Sequence, residues 1–151
     1  MPEVGDKAPD FTLLSTDGLL QLSRFARGRK VVLAFYTEDN TPICSQELST
    51  FRKEYATIQE LGAEVIAISV DTVTSHKQFC DAVGGYPFPL VSDTEQRAAK
   101  LYQVLDDEDK RTRRAIFVID ESGTIVHQIP WYQPSNPGQL MEVFQALGLE
   151  A

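Results

Sequence analysis

The stretch Val31-Val32-Leu33-Ala34-Phe35-Tyr36-Thr37-Glu38-Asp39-Asn40-Thr41-Pro42-Ile43-Cys44 decides how this chain is read. Its first six residues form a continuous apolar run of strand length, as expected of a strand covered on both faces. Thr41 is a favoured N-cap, and Pro42 suits the first helical position, where its missing N–H costs nothing; a helix is therefore predicted from about residue 42. Leu48, Phe51, Tyr55, Ile58 and Leu61 follow at spacings of three or four, and Gly62 closes that helix. Cys44 then lies in the first helical turn, just past the carboxyl end of a buried strand, where sites in open α/β sheets usually form. Unpaired N–H groups and the positive end of the helix dipole favour a thiolate there, and the thiolate is the form that attacks electrophiles. The alternative is a small buried hydrophobe, a common state of free cysteine.

Outward from this stretch the pattern alternates. Val65-Ile66-Ala67-Ile68-Ser69-Val70 reads as a second buried strand, followed by a helix over about 75–83 that ends at Gly84-Gly85. A short strand is predicted at 89–91 and a third helix over 95–102. Segments 114–120 and 124–129, separated by Glu121-Ser122-Gly123, read as an antiparallel hairpin, and Asn136-Pro137-Gly138 opens a last amphipathic helix through 147. Near the start, Thr16-Asp17-Gly18 sits between two apolar segments and predicts an N-terminal β-hairpin extension. The result is an α/β class with a central mixed β-sheet flanked by helices. The order fits a thioredoxin-like fold, although periodicity alone leaves other mixed sheets open. With 151 residues and no linker or internal repeat, residues 1–151 are expected to form a single domain.

Against 22 acidic residues stand 14 basic ones, giving a net charge of -8 that argues against nucleic acid or anionic membranes as partners. No run approaches the ~20 apolar residues of a membrane span, and the first residues lack the pattern of a signal peptide. A cytoplasmic, reducing location is the expectation, with Cys44 and Cys80 as free thiols or a transient redox pair. Cys44, Cys80, His76 and His127 offer no closely spaced zinc-type pairs, so neither a metal nor a cofactor is expected. The charge run 106–111 changes sign within itself and reads as a solvated loop.

The segment 35–48 closely resembles the active-site segment of the peroxiredoxins, whose pattern is Pro-x-x-x-Thr/Ser-x-x-Cys; Thr41 and Cys44 match its last two fixed positions. Gly5-Asp6-Lys7-Ala8-Pro9-Asp10-Phe11 is similar to the family's opening, and Arg114-Ala115-Ile116-Phe117-Val118-Ile119-Asp120 to its arginine-bearing strand. Pro87-Phe88-Pro89-Leu90-Val91-Ser92-Asp93 and Tyr132-Gln133-Pro134-Ser135-Asn136 look most like the bacterioferritin comigratory protein (PrxQ) branch. The resemblance implies a thiol peroxidase acting on hydrogen peroxide and organic hydroperoxides. Cys44 would be the nucleophile, Thr41 would orient the peroxide, and Arg114 would lower the thiolate pKa and stabilise the departing oxygen. From the residues alone, Arg111, Arg113 and Arg114 are not distinguishable. Glu47 reads either as a bidentate partner of Arg114 or as an ordinary exposed helix acid. One position departs from the family: Thr37 stands where the fixed proline would be. Threonine lifts the φ restraint and adds a hydroxyl, which implies a looser loop or altered hydrogen bonding.

A sulfenic acid at Cys44 can condense with a second thiol. Many PrxQ-like proteins carry that thiol five residues further on, where this chain has Ser49. Resemblance to another PrxQ subgroup implies Cys80 as the resolving cysteine. It would form an intramolecular disulfide that thioredoxin or a similar dithiol reduces. Because a disulfide needs Cα atoms within about 7 Å, local unwinding around both cysteines is expected. A packing role beside His76, Phe79 and Val83 is the alternative for Cys80, which keeps a one-cysteine peroxidase open. A redox sensor or holdase using Cys44 is the rival from another class. A thiol–disulfide oxidoreductase would need C-x-x-C, and residue 47 is glutamate. An already ionised thiolate needs no general base, so no catalytic role is given to His76 or His127. Trp131 and Tyr132 read as packing aromatics, or as the border of a reductant docking site. The acidic surface offers no evident apolar stripe, and a monomer is expected.

Overall fold

The computed structural model describes residues 1–106, 108 and 110–149; Asp107 and Asp109, within the charge run read above as a loop, lie outside the described residues. Apolar residues at every position from 31 to 35 leave that run no face for water, and β3 (Lys30–Phe35) accordingly runs through the middle of the sheet. Parallel to it lies β4 (Ala63–Ser69), with Val32 opposite Val65 and Ala34 opposite Ala67. The short β5 (Leu90–Ser92) extends the parallel part. On the other side, β6 (Ala115–Ile119) pairs antiparallel with β3, and β7 (Ile125–Ile129) completes that hairpin. The N-terminal hairpin of β1 (Thr12–Ser15) and β2 (Gly18–Gln21) joins through Ser15 opposite Val91. Among the described residues the sheet has seven strands in the order β2-β1-β5-β4-β3-β6-β7. This is the thioredoxin-like mixed sheet, with its hairpin extension, that the alternating sequence pattern predicts.

The alternation along β3 divides the core. Val32, Ala34 and Tyr36 face α2 (Pro42–Lys53), α3 (Tyr55–Glu60), α4 (Val73–Val83) and α6 (Pro137–Ala146) through Leu48, Phe51, Ile58, Phe79 and Val143. Val31, Leu33 and Phe35 face α1 (Leu22–Phe25) and α5 (Arg97–Tyr102) through Leu22, Ala98 and Tyr102. The four residues of α1 are too few for periodicity to reveal. The single helix expected from 42 to 61 is interrupted at Glu54, whose ψ of 6° leaves the helical region. Its N–H still bonds Thr50 O and its carbonyl still accepts from Ile58, so the hydrogen-bond ladder carries across the bend. Capping follows the residue types elsewhere. Thr72 accepts from Ser75 N at the start of α4, and Gly84, at φ 83°, ends it in the left-handed conformation glycine tolerates best. No described helix is long and apolar enough to cross a membrane.

Candidate active site

Strand register assembles the site. Phe35 lies opposite Ala115, so Arg114 stands beside the chain where it leaves β3. The Thr112 hydroxyl donates to the Tyr36 carbonyl and holds the same exit. The chain then turns through 37–41 and enters α2 at Pro42. Thr41 occupies the N-cap position in extended conformation, as its residue type predicts, but its hydroxyl does not cap the helix. It donates instead to Glu38 O at 3.2 Å, inside the loop.

Cys44 is completely buried. Its sulfur lies 2.9 Å from the Thr37 hydroxyl oxygen. Burial by itself pushes the thiol pKa up. The hydroxyls of Thr37 and Thr41 and the N–H groups of Glu38 and Thr37 more than offset it, and the pKa falls below the ordinary cysteine value. The sequence reading placed the stabilising groups on the helix start. These donors come instead from the incoming loop and its junction with the helix.

One turn further along α2, Glu47 shares the inward face with Cys44, Leu48 and Phe51 and is fully buried. Neither of its carboxylate oxygens has a hydrogen-bond partner among the described residues. Both earlier options for Glu47 therefore fail: it is not exposed, and it forms no ion pair with Arg114. Its place on the sheet-facing side of α2 explains the first, and the Arg114 charge reaches it only as a longer-range field. Burial drives its pKa well above the usual carboxylate range, the Cys44 charge adds to that, and Arg114 opposes it. Among the described residues the Arg114 Nε is buried without a partner, and so is the Tyr132 hydroxyl, whose ionisation is suppressed by burial and by Glu47. Tyr132 is held there by its own N–H bond to Arg114 O at 2.8 Å.

The three arginines that sequence could not separate are now distinct. Arg111 pairs with Glu38 at 3.1 Å and Asp71 at 3.2 Å. Arg113 donates to Pro130 O and lies 4.6 Å above the Trp131 ring. Of the three, Arg114 is the one whose charge acts on Glu47. Trp131 and Tyr132 also part company. Trp131 is 61% exposed, whereas Tyr132 is buried behind the site and cannot border a docking surface.

Sequence reasoning missed a second polar cluster. The Asp39 carboxylate meets His76 Nδ1 at 2.7 Å, Tyr36 OH at 2.5 Å and Ser75 OH at 2.7 Å. His76 is fully buried, and its Nε2 lies 2.9 Å from Val91 O. That carbonyl only accepts, so Nε2 donates to it, while Nδ1 faces both the Asp39 carboxylate and the Tyr36 hydroxyl, the latter at 3.2 Å. Burial pushes the Asp39 pKa up, but the bonds from His76 and Tyr36 and the His76 charge bring it below the ordinary value. Asp39 N–H also donates to Asp71 at 2.9 Å. Asp39, Asp71 and His76 lie close enough to share an ion, yet the His76 nitrogens and Asp39 oxygens are already occupied by one another, Val91, Tyr36 and Ser75. The cluster is a lock between the 37–41 loop and α4. The histidine near the start of the helix predicted over about 75–83 was its only sequence signal.

Cys80 lies on α4, half-buried and, like Cys44, a free thiol. Burial pushes its pKa up, the Tyr86 N–H opposes, and the Asp39 and Asp81 charges add to the rise. Arg52 ties α2 to the end of α4 by bonds to Val83 O at 2.7 Å and Gly85 O at 3.2 Å. The structure thus holds the two sulfurs on separate, mutually braced helices.

A buried cysteine with a lowered pKa, set among hydroxyl and N–H donors at the strand-to-helix junction of a thioredoxin-like sheet, defines a cysteine-based redox enzyme. The AhpC/TSA family profile matches residues 4–128, and the chain belongs to that family, the peroxiredoxins. It is 34% identical over 148 residues to a peroxiredoxin of Thermoplasma volcanium, covering 94% of this chain and 71% of the relative. It is 35% identical over 147 residues to a Coxiella burnetii protein carrying the name peroxiredoxin bcp, covering 93% and 95%. Among solved structures, peroxidoxin BcpB of Mycobacterium tuberculosis superposes with a TM-score of 0.87 at 26% identity, covering 97% of each chain. A yeast mitochondrial 1-Cys peroxiredoxin gives 0.86 at 26% identity, covering 97% of this chain and 76% of the other. The chain is accordingly a peroxidase of the oxidoreductase class that works through thiol chemistry.

Proposed function

We propose that Cys44 is the peroxidatic nucleophile and Cys80 its resolving partner. The Cys44 thiolate attacks the hydroxyl oxygen of a hydroperoxide. An S–O bond forms, the O–O bond breaks, and the departing alkoxide or hydroxide takes a proton from water. Sulfur is oxidised by two electrons and the peroxide is reduced by two. Thr41 orients the peroxide, and Arg114 stabilises negative charge on the departing oxygen. The Cys80 thiol then condenses with the sulfenic acid; an S–S bond forms and water leaves. Thioredoxin or a similar dithiol returns both sulfurs to thiols by exchange. Hydrogen peroxide and organic hydroperoxides are the proposed substrates. The enzyme is proposed to act as a monomer in the cytoplasm, with no cofactor.

The observation that carries this reading is the Cys44 thiol. Complete burial should raise its pKa, yet the Thr37 hydroxyl at 2.9 Å and its other donors bring it down. Closing the disulfide requires the first turn of α2 and the middle of α4 to open. First turns already lack backbone partners, which keeps that opening inexpensive. A one-cysteine peroxidase is the second reading, favoured by the raised pKa of Cys80 and its packing against the core. Peroxide consumption coupled to thioredoxin and its reductase tests both. Cys44→Ser should abolish turnover, and Cys80→Ser should retain a single turnover but lose recycling. Mass spectrometry after one equivalent of peroxide should find a Cys44–Cys80 disulfide within one chain. Near wild-type recycling by Cys80→Ser would select the one-cysteine reading. Cys44 oxidation as slow as that of free cysteine would leave the redox sensor.

A further inference from the structure

Two hydroxyls and two N–H groups surround the Cys44 sulfur, and their protons are not all directed at it. Thr41 has a single hydroxyl proton, and it is directed at Glu38 O, 3.2 Å away. While that bond holds, the Thr41 oxygen can present only lone pairs to the pocket. The Thr37 hydroxyl makes its contact with the sulfur itself, at 2.9 Å, across the part-buried mouth of the loop. This position is also where the chain departs from its family, whose proline has neither a hydroxyl nor an N–H. The 37–41 segment is not loosened by the exchange: Asp39 is bound to His76, Tyr36, Ser75 and Asp71, so Thr37 is held in place by the residue two positions on.

We propose that Thr37 is a catalytic residue of this enzyme: its hydroxyl donates to the Cys44 sulfur and supports the thiolate, which leaves the Thr41 oxygen free to accept a hydrogen bond from the incoming peroxide. The inference rests on Cys44 being the peroxide-attacking thiol, and it assigns the two threonines of the 37–41 loop two different tasks. A hydrogen bond to the charged form of an acid favours ionisation. The Thr37 N–H adds to the same effect, since it too lowers the Cys44 pKa. A proline at this position would remove both contributions together.

The test is the ionisation of Cys44, followed by thiolate ultraviolet absorbance against pH in a Cys80→Ser background. Thr37→Val keeps the shape and deletes the donor. Its midpoint should rise, with about a tenfold smaller thiolate fraction at pH values below both midpoints. Thr37→Ser should restore the wild-type midpoint, which shows that the donor matters and not the fold. Thr37→Pro should shift the midpoint at least as far as Thr37→Val, because it deletes the N–H as well. Thr41→Val should move the midpoint less and lower the peroxide rate constant measured above both midpoints. Wild-type titration by Thr37→Val, or a larger shift from Thr41→Val, would overturn the proposal. No peroxide enters the titration, so the two readings fail separately. A Thr37-dependent midpoint with a peroxide-inert Cys44 would sink the nucleophile assignment, and fast oxidation with a Thr37-independent midpoint would sink this one.

Discussion

Cys44 and Cys80 invert the usual relation between burial and thiol acidity. Cys44 is the more buried of the two and has the lower pKa; Cys80 is half-exposed and its pKa is raised. Desolvation acts on both in the same direction, so the difference lies in what surrounds each sulfur. Cys44 has two hydroxyls and two N–H groups around it. Cys80 has one N–H, and it feels the charges of Asp39 and Asp81. A buried thiol gains acidity where fixed donors outweigh what desolvation removes, and the turn between β3 and α2 supplies them to Cys44.

The most direct way to break this comparison is to leave Cys80 alone in the molecule. If donors make the difference, Cys44→Ser should consume peroxide about a thousandfold or more slowly, a loss of about 4 kcal/mol in transition-state stabilisation. Stopped-flow oxidation of the two single-cysteine variants provides the comparison. Similar rates for both would show that the surroundings described here do not govern reactivity.

Much of this was legible before any coordinates. The apolar run 31–36, Thr41-Pro42 and Gly84 announce local structure through propensity and capping, and the structure follows them. Cys44 and Thr41 fall where the strand-to-helix junction puts them. Arg114 is singled out in the sequence by the family resemblance alone; its physical difference from Arg111 and Arg113 needs strand register, because three nearby arginines become distinct only when β6 is aligned with β3. Glu47 was misread because a carboxylate on an amphipathic helix is normally at its solvent face, and here the inward face carries one unpaired. The Asp39–His76 lock joins residues 37 positions apart through tertiary packing, which no local pattern encodes.

That lock offers the next test, since it holds the donor-bearing loop against α4. Asp39→Asn removes the carboxylate that the buried His76 ring, Tyr36 and Ser75 all contact and should cost about 3 kcal/mol of stability at neutral pH, measured by denaturant unfolding. The folded-state pKa of Asp39 is depressed relative to about 3.9 in the unfolded chain. Its contribution is therefore present above about pH 4 and is lost as pH falls through the lower folded value. The gap between wild type and Asp39→Asn should hold down to about that pH and narrow below it. Because the loop carries Thr37, the same variant should also raise the Cys44 ionisation midpoint. Destabilisation with an unmoved midpoint would separate the lock from the donor set.

Glu47 supplies the control for the whole comparison, being as buried as Cys44 and one turn along the same helix, but without donors among the described residues. Its pKa is driven up by burial first and by the Cys44 charge second, with Arg114 opposing. A carboxyl whose folded pKa lies above its unfolded value of about 4.3 gives stability that is full below that pH and is lost as pH rises toward the folded value. Glutamine mimics the protonated acid and does not titrate. The stability of Glu47→Gln relative to wild type should therefore increase with pH, gaining about 2 kcal/mol between pH 4 and pH 7. Denaturant unfolding across that range measures it. A gap that does not change with pH would mean that Glu47 finds donors in solution, and burial would no longer separate it from Cys44. A gap that grows while the Cys44 midpoint stays or falls would place the difference between two neighbouring acids, equally removed from water, in the hydroxyls and N–H groups that reach only the sulfur.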